Sequence, residues 1–254
     1  MILKLFKRQP DRTPQSSVPA GQRIYAIGDI HGRLDLLDAL LASIDADDAA
    51  RPVADTHIIF LGDLIDRGPE SAQVVERAKQ IEREKPNTRF LLGNHEEVFL
   101  KSFQGDLKAI AFLNRIGGRE TILSYGVSEQ DYREADYPEL LNLLKGSVPQ
   151  EHIAFLQRFE DLIIFGDYAF VHAGIRPSRT LANQRTSDLR WIREDFTKFR
   201  GTLEKTVVHG HTISEDVERY SHRIGIDTGA FASGKLTAMG FEGTDNWILQ
   251  TVPG

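Results

Sequence analysis

The stretch RIYAIGDIHGRLDLLDALLASI, residues 23–44, decides the fold class. Its first part, RIYAIGD (23–29), is a short apolar run with β-branched residues that ends in Gly-Asp, which predicts a strand. Its second part, LDLLDALLASI (34–44), repeats apolar residues every three to four positions, the spacing of an amphipathic helix. The same unit recurs twice. THIIFLGD (56–63) leads through a turn-rich loop to SAQVVERAKQIEREK (71–85), and TRFLLGN (88–94) leads to EEVFLKSF (96–103). Strands alternating with helices predict an α/β fold with a largely parallel sheet, whose ligand sites lie beyond the carboxyl ends of the strands.

Outward from this core the pattern changes. Residues 104–160 show helical patches such as LKAIAFLNRI and EHIAFLQRF, separated by Gly-Gly, Tyr and Pro, and are expected to form a helical insertion beside the site. DLIIFGD and YAFVHAG then read as a strand pair and KTVVHGHT as a further strand. HRIGIDTG, KLTAMGFE and NWILQTV close the chain as more strands. At the other end, residues 9–21 are rich in Pro, Ser, Thr, Gln and charge, so residues 1–21 are expected to be a mobile tail ahead of a single domain spanning 22–254.

The chain has 254 residues, 41% of them hydrophobic, enough for a substantial core. A net charge of −6 gives no electrostatic footprint for nucleic acid or an anionic membrane. Any anionic substrate must meet local positive charge. There are no cysteines, which excludes disulfides, thiolate metal sites and a cysteine nucleophile. MILKLFKRQP is basic but lacks the apolar run of a signal peptide, and no later segment has the length of a membrane span, so a cytoplasmic location is the expectation.

Five polar clusters fall just after the expected strands: GDIHG (28–32), GDLIDRG (62–68), GNHE (93–96), VHAG (171–174) and HGHT (209–212). Each has a Gly for a tight turn or close backbone approach, and together they supply carboxylate, imidazole and amide groups. Those donors suit Mn, Fe, Zn or Ni. Asp29 and His31 are two apart and in extended chain would point the same way, able to chelate one ion together. Asp63 could bridge two ions, with Asn94, His172 and His211 completing the second. Two metals about 3.5 to 4 Å apart would clamp an in-line displacement at phosphorus. His57, His152 and His222 lie in no cluster and are assigned structural or surface roles.

In order and spacing, this series resembles the calcineurin-like metallophosphoesterases, and the Asp-Arg-Gly after GDLI resembles their phosphoprotein phosphatase branch. The likeness runs from about residue 23 to the end and extends to DLRWIREDF (188–196) and IDTGAFASGKLTAM (226–239). It implies a sandwich of two mixed β-sheets flanked by helices. It also implies one metal on Asp29, His31 and Asp63, and a second on Asp63, Asn94, His172 and His211; manganese is the ion expected at both. Of the two histidines in HGHT, the resemblance selects His211 over His209. His95 is then the general acid, Asp66 its orienting carboxylate and Arg67 a phosphate-binding residue. That pairing is chemically coherent, since a carboxylate raises the imidazole pKa and fixes its tautomer.

One departure stands out. Relatives from eukaryotes and phage carry Arg just before GNHE, where this chain has Leu92, so a phosphate contact must come from elsewhere. Arg193 in WIRE is the expected substitute, with Arg190 second. The expected activity is removal of phosphate from phosphomonoesters by direct attack of an activated water, with no covalent enzyme intermediate, as in serine/threonine protein phosphatases. Symmetrical dinucleoside tetraphosphatases share the branch and differ in the pocket walls. A non-catalytic metal-binding protein is the remaining alternative, and intact His95, Asp66 and Arg67 argue against it.

Overall fold

The computed structural model describes residues 15–252. Its first sheet contains β1 (Gln22–Ile27), β2 (Asp55–Phe60) and β3 (Thr88–Phe90), which run parallel, with β9 (Thr237–Glu242) and β10 (Asp245–Gln250) added antiparallel in the order β10-β9-β1-β2-β3. Its second sheet has the order β4-β5-β6-β8-β7, made from β4 (Ile163–Phe165), β5 (Tyr168–Phe170), β6 (Thr206–His209), β7 (Glu218–Arg219) and β8 (Arg223–Gly225). Here β5, β6 and β8 are parallel and the edge strands antiparallel. The α/β sandwich of two mixed sheets expected from the sequence is therefore observed.

Strand alternation explains how the layers stack. In β1, Ile24 and Ala26 enter the core between the sheets, where they meet Tyr168, Phe170, Val208 and Phe241. Tyr25 and Ile27 face the other way, into the core under α1 (Leu34–Ala49) and α2 (Ser71–Glu84). In β6 the same period of two sends Val208 inward and Val207 outward, the latter against Leu189, Ile192 and Phe196. The last three belong to α9 (Thr186–Trp191) and α10 (Glu194–Thr197) and the turn joining them, which cover the outer face of the second sheet. These helices are too short to leave a period in the sequence.

The insertion is helical as expected. After α3 (Asn94–Phe103) it comprises α4 (Leu107–Ile116), α5 (Gly118–Ser124), α6 (Glu129–Glu134), α7 (Tyr137–Ser147) and α8 (Gln150–Leu156), whose apolar faces join the core over the first sheet. Caps fix two of them: Asp106 accepts from Lys108 and Ala109, and Asp136 with Glu139 forms a capping box. A last short helix, α11 (Ala230–Ser233), sits between β8 and β9.

The mobile tail expected over 1–21 needs correction at its end. Ser17 donates from its backbone and hydroxyl to Asp167, Val18 N donates to Gly243 O, and Val18 is buried in the inter-sheet core. One apolar side chain and three hydrogen bonds outweigh a polar average composition. Residues 1–14 lie outside the described residues. Among the described residues no helix is long and apolar enough to cross a membrane.

Candidate metal centre

Six parallel strands deliver their carboxyl ends to one place, as the alternating pattern predicts. Asp29 and His31 follow β1, Asp63 follows β2, and Asn94 and His95 follow β3. His172 follows β5, His211 follows β6 and Asp227 follows β8. Among the described residues, the non-glycine positions with left-handed backbone are His31, Asp63, Asp66, Arg67 and His211, and all five lie here. Each such conformation costs roughly 1 to 3 kcal/mol, and its concentration at one site marks a geometry held for chemistry. His31 (φ 48°) also corrects the expectation that Asp29 and His31 share a strand face: β1 ends at Ile27, and a turn brings the two together.

The strain is held by cross-bonds between the loops. Ile30 N and His31 N both donate to Asp63 O, at 3.1 and 2.9 Å. The buried Glu96 carboxylate accepts from four backbone groups: Asp63 N (2.9 Å), Leu64 N (2.7 Å), Ile65 N (3.3 Å) and Gly93 N (3.0 Å). A Cβ at Gly93 would collide with Asp63 Oδ1 and Asp63 N, so only glycine admits this approach. Glu96 is a residue whose role the sequence reading missed, although it stands in the quoted GNHE. Burial and Asp63 push its pKa up, while His95 and the backbone donors pull it back. All four contacts are N–H groups, so the carboxylate is the form that fits. Glu96→Gln would turn an amide N–H toward at least one of them. We expect it to lower Tm by roughly 5 °C and to weaken metal binding about 10- to 100-fold, checked by thermal melts and calorimetric titration.

Two trios of donor atoms share Asp63. His31, Asp63 and His95 each present an atom within 4.8 Å of the others, as do Asp63, His172 and His211. Asp63 Oδ2 lies 3.6 Å from His31 Nε2, 3.5 Å from His172 Nε2 and 3.8 Å from His95 Nε2. Asn94 Oδ1 joins at 3.0 Å from His172 Nε2. Asp29 belongs to neither trio, but its Oδ2 accepts from His211 N at 3.0 Å. His31 Nδ1 and His172 Nδ1 bond to the Ile65 and Leu61 carbonyls, both at 2.8 Å, which leaves each Nε2 with its lone pair toward the centre.

The charges are those of a cation site. Burial pushes the His31 imidazole down to about 3 and lowers His172 and His211, so these rings are neutral bases. Burial would raise Asp63, but in the acid range where it titrates His172, His95, His31 and His211 are protonated and bring it well below the usual carboxylate range. Burial, Asp227 and Asp63 together push Asp29 up, and burial lifts Asp227 to about 6. Asp29 Oδ1 and His211 Nε2 are buried without a hydrogen-bond partner. Neutral imidazoles, crowded carboxylates and orphaned donor atoms of both kinds fit divalent ions bound through nitrogen and oxygen.

Beside this centre His95 Nδ1 bonds Asp66 Oδ2 at 2.6 Å, and Arg67 Nη2 lies 3.3 Å from His95 Nε2. Burial works against the His95 charge, but Asp63 and Asp66 outweigh it and raise the imidazole. The Arg67 guanidinium lies 4.6 Å over the Phe231 ring, and Phe231 packs edge-on against His31 at 5.5 Å. Arg193 is exposed, its side chain makes no hydrogen bond or ion pair among the described residues, and its charge adds to burial in lowering His172 and His211. Arg190 is instead held by Asp161 at 2.6 Å and faces Glu97 at 3.6 Å. Leu92 is buried in the core under the insertion helices, so it leaves the site with no cation at its own position.

The remaining histidines lie outside the two trios. His209 is fully buried against Phe196, bonds Gly210 O at 3.0 Å and faces Arg223 at 3.3 Å. The left-handed turn at His211 breaks the strand alternation that would otherwise align the two rings. His57 packs on Phe165, His152 bonds Tyr125 and Glu76, and His222 packs on Phe199. Besides Glu96, the structure adds Asp227, Phe231 and Thr121 to the site's surroundings. The first two stand in the quoted IDTGAFASG; nothing in the sequence marked Thr121.

Comparison with known proteins agrees with this geometry. Over 225 residues the chain is 29% identical to serine/threonine-protein phosphatase 2 of Escherichia coli (strain K12), covering 85% of this chain and 91% of that protein. It is 27% identical over 238 residues to bis(5'-nucleosyl)-tetraphosphatase PrpE (asymmetrical) of Oceanobacillus iheyensis, covering 86% and 88%. In fold it resembles a cold-active protein tyrosine phosphatase at a TM-score of 0.59 and 19% identity, over 98% of this chain and 89% of that one. Residues 22–230 match the calcineurin-like phosphoesterase model, and with its two-sheet sandwich and shared-carboxylate centre the chain belongs to that family, as a metal-dependent phosphatase.

Proposed function

We propose that the chain is a serine/threonine-type protein phosphatase that hydrolyses phosphomonoesters at a centre of two manganese ions. The observation that carries this reading is the pair of donor trios meeting at Asp63 next to the His95–Asp66 pair. Asp29, His31 and Asp63 would hold one ion; Asp63, Asn94, His172 and His211 would hold the other. When bound, the ions supply Lewis acidity toward the phosphoryl oxygens and a water acidic enough to act as nucleophile near neutral pH. Carboxylate, amide and imidazole donors without thiolate suit manganese, with Fe, Zn or Ni as substitutes.

The chain's own residues do the rest. Arg67 and Arg193 bind the phosphoryl oxygens from two sides, supplying charge-assisted hydrogen bonds. Asp66 holds His95 with Nε2 facing the substrate, where its proton neutralises the leaving oxygen. A cytoplasmic setting, where phosphorylated proteins and nucleotides are both available, is part of the same reading. Hydrolysis of a dinucleoside polyphosphate is the second reading, favoured by the bis(5'-nucleosyl)-tetraphosphatase relative. Metal-reconstituted protein assayed on phosphoserine, phosphothreonine and phosphotyrosine peptides, a diester and diadenosine tetraphosphate separates them. A higher kcat/KM on the tetraphosphate than on any peptide would overturn the first reading.

The free position of Arg193 makes its role testable. Arg193→Ala should lower kcat/KM by the equivalent of about 1.5 to 3 kcal/mol, the worth of a hydrogen bond to a charged group, with metal content fixed. Arg190→Ala, which breaks a partly buried pair with Asp161, should change kcat/KM by less than about 3-fold, since that guanidinium is already engaged by a carboxylate. An Arg193→Ala enzyme with parental kinetics would remove Arg193 from the site.

A further inference from the structure

The helical insertion does more than wall the site. Asp66 and Arg67 adopt consecutive left-handed conformations, with φ of 72° and 70°, and the corner between α4 and α5 meets Arg67 while α5 meets Asp66. Arg67 N donates to Gly117 O at 2.9 Å. A Cβ at Gly117 would come within 2.8 Å of Arg67 Cγ.

One turn further along α5, the fully buried Thr121 places Oγ1 2.6 Å from Asp66 Oδ1 and accepts from Asp66 N at 2.9 Å. Ser71 Oγ lies 2.9 Å from Thr121 Oγ1 and accepts from Asp66 N at 3.0 Å. Thr121 has one proton to give, and Asp66 Oδ1 is both the shorter contact and the charged one. The Asp66 carboxylate is thus fixed at one oxygen by Thr121 and spends the other on His95 Nδ1 at 2.6 Å.

A buried threonine that merely satisfies a turn would cost stability when removed and slow every substrate alike. The geometry here makes a different demand. With Thr121 gone, Asp66 could rotate about its side chain, and the imidazole it steers would lose its aim at the leaving oxygen.

We propose that Thr121 is a positioning residue for leaving-group protonation, which makes α5 of the insertion part of the proton-delivery apparatus. This rests on the reading of His95 as general acid, stated above. The test uses the full chain loaded with Mn²⁺ and two substrates: a phosphoserine peptide, whose alkoxide needs a proton, and p-nitrophenyl phosphate, whose phenolate does not. Thr121→Val should lower kcat on the peptide roughly 10- to 100-fold and on p-nitrophenyl phosphate by less than about 3-fold, with two ions still bound. Thr121→Ser, which keeps the hydroxyl, should restore the peptide rate to within about 3-fold of the parent. Should the valine variant fail to fold, Thr121→Cys, whose thiol is a weak donor, takes its place with the same expected split.

Equal slowing of both substrates, or slowing of neither, overturns the proposal. His95→Asn measured alongside tells the two failures apart. If His95→Asn shows the split and the Thr121 variants do not, only the Thr121 assignment falls. If His95→Asn shows no split, the general-acid reading fails and the Thr121 proposal falls with it.

Discussion

Asp63→Asn should abolish binding of both metal ions and slow turnover by at least roughly 10³-fold, the rate equivalent of about 4 kcal/mol of lost charge stabilisation. Asp63 is the residue common to the two donor trios. Its Oδ2 stands 3.5 to 3.8 Å from three imidazole nitrogens, those of His172, His31 and His95. The amide would put an NH₂ group in that place, a donor facing neutral nitrogen lone pairs, and neither end of an amide bridges two cations well. The local backbone should survive, because Asn tolerates the left-handed region that Asp63 occupies at φ 51°. Its Oδ1 can still accept from His95 N, now at 3.1 Å. We therefore expect Tm measured in chelator to stay near or above that of the parent, while the rise in Tm on adding Mn²⁺ disappears. Two ions bound with parental affinity in a metal analysis of this variant would remove Asp63 from its bridging role.

What the sequence disclosed depended on the range of the interaction concerned. Local regularities were legible: the βα alternation in RIYAIGDIHGRLDLLDALLASI, and the helical texture of 104–160 that became α4 to α8. The convergence of the polar clusters was legible as well, because each ends a strand and parallel strands deliver their ends to one edge. Three kinds of feature were not. The short α9, α10 and α11 span four to six residues, less than the window in which a helical period can show. Backbone direction after a strand was misjudged for Asp29 and His31, since alternation stops where the strand stops and no side-chain pattern records a positive φ. The supports of the site were the least visible. Glu96 braces a loop 31 to 33 residues away and Thr121 meets Asp66 across 55, distances over which a single sequence carries no pairing signal. The end of the tail misled for a related reason, because Val18 is one apolar residue whose burial is decided by Tyr168 and Phe241 far along the chain.

His95→Asn should leave metal content near that of the parent and lower kcat roughly 10²- to 10⁴-fold on a phosphoserine peptide, the range associated with losing a general acid. The geometry makes this a discriminating experiment, because His95 stands in a donor trio with His31 and Asp63 and its ring packs edge-on against His31 at 4.7 Å. Proximity alone would allow it to be a metal ligand. Three observations set it apart from the other imidazoles. Its Nδ1 is bonded to a carboxylate, Asp66, whereas His31 and His172 bond to backbone carbonyls. Its pKa is raised by Asp63 and Asp66 against the pull of burial, while theirs are lowered, so it alone among these rings favours holding a proton. Its Nε2 is also 3.3 Å from the guanidinium of Arg67, the group proposed to bind the phosphoryl oxygens. A ligand would need that nitrogen bare, and an acid needs it protonated. On p-nitrophenyl phosphate, whose leaving group departs without a proton, the asparagine variant should lose much less activity. Loss of one metal ion from His95→Asn, or an equal loss of rate on both substrates, would show that His95 binds metal or only fills space.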